Sequence, residues 1–334
     1  MKLSIRIRYA DPSVLADLVC AAENLGYDGV WVSEPWGVDA ASVLGWCAAR
    51  TRRIVLGTHV ASVYARTPAA TAAMAASLAH LSGGRFRLGL GTSGPDVVEG
   101  WHGVAFERPV ARTRDTVAVV RSVLGGGPVS HRGPTVEVPL REGQRPLRSA
   151  LAATADLPGI PVYLGALGPA NQRLTAEVAD GWTPTPYSPD HHPTLAAPLL
   201  DGLAANGRRV AFAPVCPVAA GPDVSALLRL ERAWSALYLG GMGSFYARAA
   251  ATSGHGAMVE RVRERFAAGD RRGARDAVSE DYADGVGLFG PPGRLRERAG
   301  RYAAAGVEEL VLELRKPDRV DQLEDMAAVR KAIG

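Results

Sequence analysis

Leu81 to Gly103, reading LSGGRFRLGLGTSGPDVVEGWHG, is the stretch of this 334-residue chain whose residue types best suit chemistry. Arg85 to Gly91 has the profile of a short buried strand that stops on Gly-Leu-Gly. Gly89, Gly91 and Gly94 then remove side chains where a flat ligand could approach the backbone, and Thr92 and Ser93 add hydroxyls just before Pro95. A strand feeding a Gly/Ser/Thr turn and then a helix is how α/β enzymes seat a ligand at the carboxyl ends of their strands. The competing reading is an ordinary glycine-rich strand-to-helix turn. A second turn of the same kind, Gly165-Ala166-Leu167-Gly168-Pro169, opens a helix. The free N–H groups and partial positive charge of such a helix start suit a phosphate, although Gly-Pro starts also occur without any ligand. The turn lacks the Lys-Ser/Thr of a Walker loop and is not G-x-G-x-x-G.

Around these turns stand single side chains with two readings each. Glu34 ends a strand in Val-Ser-Glu-Pro-Trp, where it is either a catalytic carboxylate or an exposed loop acid. His102 could donate a proton near neutral pH or merely hydrogen-bond its loop. His59 lies on a strand and could face inward or pack against a helix. His191 and His192 fall in a Pro-rich turn with no third ligand at metal spacing, so no metal site is expected. Trp36, Trp101 and Trp182 could wall a pocket or simply fill the core. Ser93 is not framed as a G-x-S-x-G nucleophile.

The chain that must position these residues reads as repeated β-α units. Lys2 to Tyr9 alternates Leu3, Ile5, Ile7 and Tyr9 with Ser4, Arg6 and Arg8, the period of a strand. Asp11-Pro12 caps a helix that runs to Gly26. Tyr27 to Ser33, Arg53 to Val60 and Arg85 to Gly91 are the next strands. The helices Val38 to Arg50, Thr67-Pro68 to Leu81 and Arg108 to Leu124 follow them in turn. Pro161 to Leu164, Gly181 to Thr185, Arg209 to Ala219 and Val307 to Leu314 complete eight strands, with helices at Pro169 to Ala179 and from Asp318 onward. Eight strands alternating with helices predict an α/β fold, an eight-stranded β/α (TIM) barrel rather than an open doubly wound sheet. At 334 residues there is room for one barrel of roughly 250 residues plus insertions. The insertions are expected at about 125–160, which is irregular with a short strand near Thr135 to Leu140, and at about 223–290, which is helical and suits a site mouth or a dimer surface.

Composition narrows the function classes. Hydrophobic residues at 47% and charged residues at 22% are ordinary for a soluble enzyme. All but three of the 38 Lys and Arg are arginine, yet they are spread along the chain and the formal net charge is only +4, so no nucleic-acid stripe is expected. Cys20, Cys47 and Cys216 lie far apart and read as buried thiols of a reducing compartment. No leader and no membrane-length apolar run is visible, and the cytoplasm is the expected compartment.

Four segments taken together carry a resemblance: AAENLGYDGVWVSE, RRIVLGTHVASVYARTPA, LSGGRFRLGLGTSGPDVVEGWHG and PVYLGALGPANQRLTAEVADGW. In this order the chain resembles the luciferase-like monooxygenase superfamily, and more narrowly its coenzyme F420-dependent reductase branch, to which the methylenetetrahydromethanopterin reductases belong. The resemblance implies reduced coenzyme F420 as cofactor, with FMN and oxygen activation as the alternative within the superfamily. It implies that the deazaflavin rests on a bulge with a non-proline cis peptide near the end of the third strand, taken as Ala61-Ser62. It places the cofactor among Glu34, Thr92, Ser93, Gly94, Pro95 and the turn Gly165 to Pro169. A homodimer is implied as well.

Two departures stand out. Related glucose-6-phosphate dehydrogenases have a histidine after the acidic residue, where this chain has Pro35. The methanopterin reductases carry a glutamate where this chain has Arg6, which argues for a carbonyl-bearing or anionic substrate. The resulting expectation is hydride transfer to an electron-poor C=C or C=N bond of a small-molecule or peptide natural-product precursor, such as a dehydroamino acid. Arg6 would anchor the substrate, and Glu34 or His102 would supply the proton. A barrel that only binds or assembles is the competing class, and it predicts no cofactor affinity.

Overall fold

The structure is a computed structural model that describes residues 1–7, 12–34, 36–150 and 159–334, with the side chains of residues 12 and 13 left out. Arg8, Tyr9, Asp11 and Pro35, which figure in the sequence reading, lie outside the described residues.

Alternation of side chains explains the central sheet. In the first strand, Lys2–Ile7, and the last, Glu309–Leu314, the residues Leu3, Ile5, Ile7, Leu310, Leu312 and Leu314 are buried together with helix residues in the main apolar core. The intervening Ser4, Arg6, Glu309, Val311 and Glu313 point the other way, into the lumen. Strands Gly29–Val32, Val55–Thr58, Phe86–Gly91, Val162–Leu164 and Gly181–Trp182 continue the sheet in parallel register.

Closure occurs through one run of chain, Ala211–Phe212 and Val215–Ala220, divided at Ala213-Pro214. Its N–H groups at Ala211, Ala213 and Val215 donate to the carbonyls of Asp180, Trp182 and Pro184 on one side. On the other side, its carbonyls at Phe212 and Pro214 accept from Glu308 and Val311. The parallel sheet therefore closes on itself, and no edge is left along this seam.

Helices cover the outer face. Asp39 accepts from Ser42 N–H to cap Ala40–Arg50, and Thr67 accepts from Ala70 N–H to cap Pro68–Leu81. That second helix ends at Gly83 and Gly84, both at positive φ. Two helices follow segments that the sequence reading passed over: His192–Asn206, with Pro198 inside it, and Pro292–Ala304. His191 ends a 3-10 turn, Pro189–His191, and His192 begins the helix, so the turn expected there is shorter than its prolines suggested. The short strand expected near Thr135 to Leu140 is Glu137–Val138, paired antiparallel with His131–Arg132; residues 151–158 of that insertion lie outside the described residues.

After Val215–Ala220 the chain leaves the barrel for the helices Val224–Gly241, Phe245–Ala250, Gly256–Ala267, Arg271–Ala277 and Glu280–Gly285. These bury a small core of their own, with Leu239, Val262, Ala274, Val278 and Tyr282 at its centre. The chain then rejoins the sheet as Leu288–Gly290 beside Val218–Ala220. Among the described residues, no helix is long and apolar enough to cross a membrane. The three cysteines are free; Cys47 and Cys216 are buried and their thiols pushed up to about 12 by burial, whereas Cys20 is only half-buried, short of the burial expected for it.

Candidate functional site

Strand ends build the site. At the carboxyl end of the barrel, the first four strands bring up Arg6, Ser33, His59 and Gly91, and the next two lead to Gly165 and Thr183. All six line a cavity of about 900 Å³ whose outer wall comes from the helical excursion, through Leu237, Tyr238, Met242, Phe245 and Tyr246. That volume suits a large, flat ligand with room left for a second molecule.

The floor of the cavity is formed by Val60. The peptide bond between His59 and Val60 is cis, and this corrects the placement of the cis bond at Ala61-Ser62. Ala61–Ser62 has already rejoined the sheet there as a short strand, paired with Leu90 and Gly91. A Cβ on Gly91 would fall 2.5 Å from Val60 Cγ2, and one on Gly165 would fall 3.3 Å from Val60 Cγ1. Glycine at these two positions lets the Val60 side chain lie directly on bare backbone. Beside it, Ser93 adopts φ 56°, an uncommon conformation for a residue with a side chain, at the turn where Thr92 and Ser93 face the cavity.

On the far side, the helix Pro169–Val178 starts at Gly168 with no side-chain cap, so its first N–H groups are left to other partners. Asn171 lines the cavity from the first turn of this helix, and its Oδ1 is buried without a hydrogen-bond partner among the described residues. An orphaned acceptor beside uncapped N–H groups fits a polar ligand tail carrying both acceptors and donors.

Arg6 brings a positive charge to the cavity from the first strand. Its Nε donates to Ser33 Oγ at 2.8 Å, and its Nη1 lies 3.5 Å from Glu313 Oε2. Glu313 is shared with Arg315 at 3.0 Å, and Arg315 donates in turn to Glu231 at 2.5 Å. Glu231 is fully buried; burial pushes its carboxyl up, against the pull of Arg315. His59 Nε2 is 2.6 Å from Thr183 Oγ1, and that hydroxyl donates to the carbonyl of Ala213 at 2.7 Å. Thr183 has one hydrogen to give, so His59 Nε2 carries the proton of its own contact. Burial, reinforced by Arg6, holds the His59 imidazole down at about 3. It is therefore neutral, and its N–H is committed to Thr183.

Of the residues singled out from sequence, Arg6, Glu34, Trp36, His59, Ser62, Thr92, Ser93, Gly94, Trp101, Gly165, Leu167, Gly168 and Pro169 line this cavity, whereas Ala61, Pro95, His102, Ala166 and the core residue Trp182 do not. Ala61 and Ala166 are buried in the main core, and Pro95 only starts the helix Pro95–Gly100. His102 sits just beyond that helix, its backbone N–H bonded to the carbonyl of Val97. Glu34 faces the cavity, but both its oxygens accept from Arg66, at 2.6 and 2.7 Å. A carboxylate held in a bidentate guanidinium clamp has both oxygens engaged and positions its loop. Of the two acids expected from sequence, Glu34 is thus engaged by Arg66 and His102 lies outside the lining of this cavity.

Val60, Asn171, Tyr238 and Tyr246 were not foreseen. His59 could have been assigned to the lumen by counting in twos from Val55. The tyrosines lie on helices outside the barrel, where strand periodicity says nothing.

The luciferase-like monooxygenase family model matches residues 4–309. A Mycobacterium tuberculosis protein assigned as a coenzyme F420-dependent oxidoreductase is 37% identical over 345 residues, covering 98% of this chain and 99% of its own length. A 5,10-methylenetetrahydromethanopterin reductase of Archaeoglobus fulgidus is 29% identical over 297 residues, covering 87% and 86%. Among solved structures, the coenzyme F420-dependent tetrahydromethanopterin reductase of Methanopyrus kandleri superposes with a TM-score of 0.82 at 22% identity, over 99% of this chain and 98% of that one. An F420-dependent secondary alcohol dehydrogenase with an F420-acetone adduct superposes at 0.76 and 17% identity, over the same shares. With a family model spanning nearly the whole barrel and a full-length relative above one-third identity, this chain belongs to the luciferase-like monooxygenase family.

Proposed function

We propose that this chain is a coenzyme F420-dependent oxidoreductase that reduces an electron-poor C=C or C=N bond of a small-molecule or peptide substrate, a natural-product precursor such as a dehydroamino acid being one fitting class. The observation that carries this reading is the convergence of three chain segments on one cavity: Val60 seated on Gly91 and Gly165, the Thr92-Ser93 turn, and the uncapped helix start at Gly168 with Asn171 beside it. The relative at 37% identity carries an F420-dependent assignment, and the superposed reductase and alcohol dehydrogenase structures are described by the same coenzyme.

When bound, the reduced deazaflavin supplies a hydride. The protein's residues do the rest. Val60 would support one face of the ring, the turn at Thr92 and Ser93 would fix its edge, and Gly168 to Asn171 would hold its polar tail. Arg6, oriented by Ser33 and Glu313, would anchor a carbonyl or carboxylate of the substrate. The apolar wall from Leu237, Met242 and Phe245 would keep water from the reacting atoms. The assembly is expected to be a cytoplasmic homodimer.

Titration of the full chain with oxidised coenzyme F420 and, separately, with FMN tests the reading, with binding followed by the change in cofactor fluorescence. Saturable binding of the deazaflavin and much weaker binding of FMN is the expected result. Preference for FMN would move the protein to the oxygen-activating side of its family, and indifference to both would make it a binding barrel.

A further inference from the structure

Hydride transfer to a polarised double bond leaves an anion that needs a proton. Glu34 is clamped by Arg66, His59 commits its N–H to Thr183, and His102 lies outside the cavity. The helical excursion offers another group. Arg6, Thr185, Tyr238 and Tyr246 line both the main cavity and a second, smaller chamber of about 30 Å³ behind it. Glu231, Ser235, Glu313 and Arg315 also line that chamber, which is large enough for a water molecule and offers it polar partners among largely apolar walls. Tyr246 packs edge-on against Tyr238, with ring centroids 4.8 Å apart, so its ring is held in place.

We infer that Tyr246, a residue of the excursion and not of the barrel, is the proton donor of this site, acting with Arg6 as a two-point cradle for a substrate oxyanion. The inference rests on the oxidoreductase reading above and names the substrate class it requires: a carbonyl, or a double bond conjugated to one. Hydride adds to the electrophilic carbon with its electron pair. The π pair of that bond moves through the conjugation onto the carbonyl oxygen, which Arg6 stabilises. The O–H bond of Tyr246 then breaks heterolytically and its proton joins that oxygen. The phenolate left behind takes a proton from water reached through the small chamber. Burial keeps the Tyr246 phenol protonated well above the ordinary tyrosine range, with the Arg6 charge pulling the other way, so the proton is present at any working pH and leaves only toward a strongly basic oxyanion.

4-Nitrophenol tests this without turnover, because its phenolate mimics the oxyanion and reports its own ionisation by absorbance. It is titrated into the full chain, with and without oxidised coenzyme F420. Wild-type protein is expected to bind it as the phenolate, and Tyr246→Phe to bind it about tenfold more weakly with coenzyme affinity unchanged. Equal phenolate affinity in the two proteins overturns the inference. So does a Tyr246→Phe protein that loses coenzyme and phenolate together, since the hydroxyl would then be serving the fold. If wild-type protein takes up no coenzyme, the oxidoreductase reading falls, and the phenolate titration of the unloaded chain still decides for or against the cradle.

Discussion

Two glutamates on one strand, Glu309 and Glu313, face the same lumen four residues apart and do opposite things. Glu309 closes the lower end of the barrel. Its Oε1 accepts from Ser4 Oγ at 2.6 Å and from Trp31 Nε1 at 2.9 Å, and its Oε2 takes Arg87. Trp31 and Tyr163 pack edge-on at 5.2 Å beside this cluster, and a Cβ on Gly57 would fall 2.4 Å from the Trp31 ring. The lower cluster is a plug whose hydrogen bonds end within it. Glu313, two pleat repeats higher, also holds arginines, but one of them is Arg6, which lines the cavity. The same residue type on the same face seals the lumen where aromatic rings fill it and holds a cavity-lining arginine where the strands end and the filling stops.

That contrast breaks most clearly by removing the lower carboxylate. Glu309→Ala leaves Arg87 largely buried and unpaired, and Ser4 and Trp31 without their acceptor. A loss of about 3–5 kcal/mol in unfolding free energy is expected, read by urea denaturation. A loss below about 1 kcal/mol would mean the plug is not what holds the lumen together.

Arg6→Ala should give the reverse pattern. Glu313 keeps Arg315, so the fold survives, while turnover with a carbonyl-bearing substrate drops about 10²–10³-fold, as when one donor to a developing oxyanion is removed. Melting temperature and kcat measured on the same preparation check this. Equal damage to stability and activity would erase the distinction between the two clusters.

Gly91→Ala probes the boundary between plug and site. The new methyl would meet Val60 Cγ2 at 2.5 Å, and the valine would have to tilt into the cavity. About a tenfold loss of coenzyme affinity, or roughly 1.4 kcal/mol, is expected, with little change in stability. Unchanged affinity would show that Val60 does not support the ring.

The sequence made the plug and the site legible to different degrees, for physical reasons. Alternation of Leu3, Ile5 and Ile7 with Ser4 and Arg6 is a signal of period two, and eight such strands between helices yield the barrel and the direction of each side chain. Glycine at 89, 91 and 165 marks close approach of backbone, which is why both turns were found. Which carboxylate was free could not be read, because Arg66 reaches Glu34 from 32 residues away and only the fold brings them together. The bulge was misplaced by two residues because Ala61–Ser62 looks like loop in sequence, yet it pairs with Leu90 and Gly91. Tyr246 was invisible because a helix outside the barrel carries no register relative to it.

His59 sharpens the comparison at the smallest scale. Its imidazole is neutral because burial, and after it Arg6, hold its pKa at about 3, against 6.5 in an unfolded chain; Glu313 opposes this only in part. Above pH 6.5 neither state is protonated, and His59 leaves stability independent of pH. Between 6.5 and about 3 the unfolded chain takes up a proton that the folded one refuses, so stability falls as pH falls, by at most about 1.4 kcal/mol per pH unit. Below about 3 the folded state takes up the proton as well and this slope ends. Carboxylates such as Asp115 and Asp39, held below their ordinary range by hydrogen bonds that outweigh burial, also weaken the fold in acid, so the useful quantity is a difference between proteins. His59→Gln keeps a donor for Thr183 and cannot take up a proton. Urea unfolding of both proteins at pH 7, 6, 5 and 4 should show wild type losing stability faster than the variant below pH 6.5, and parallel curves would mean that His59 carries a charge inside the folded barrel.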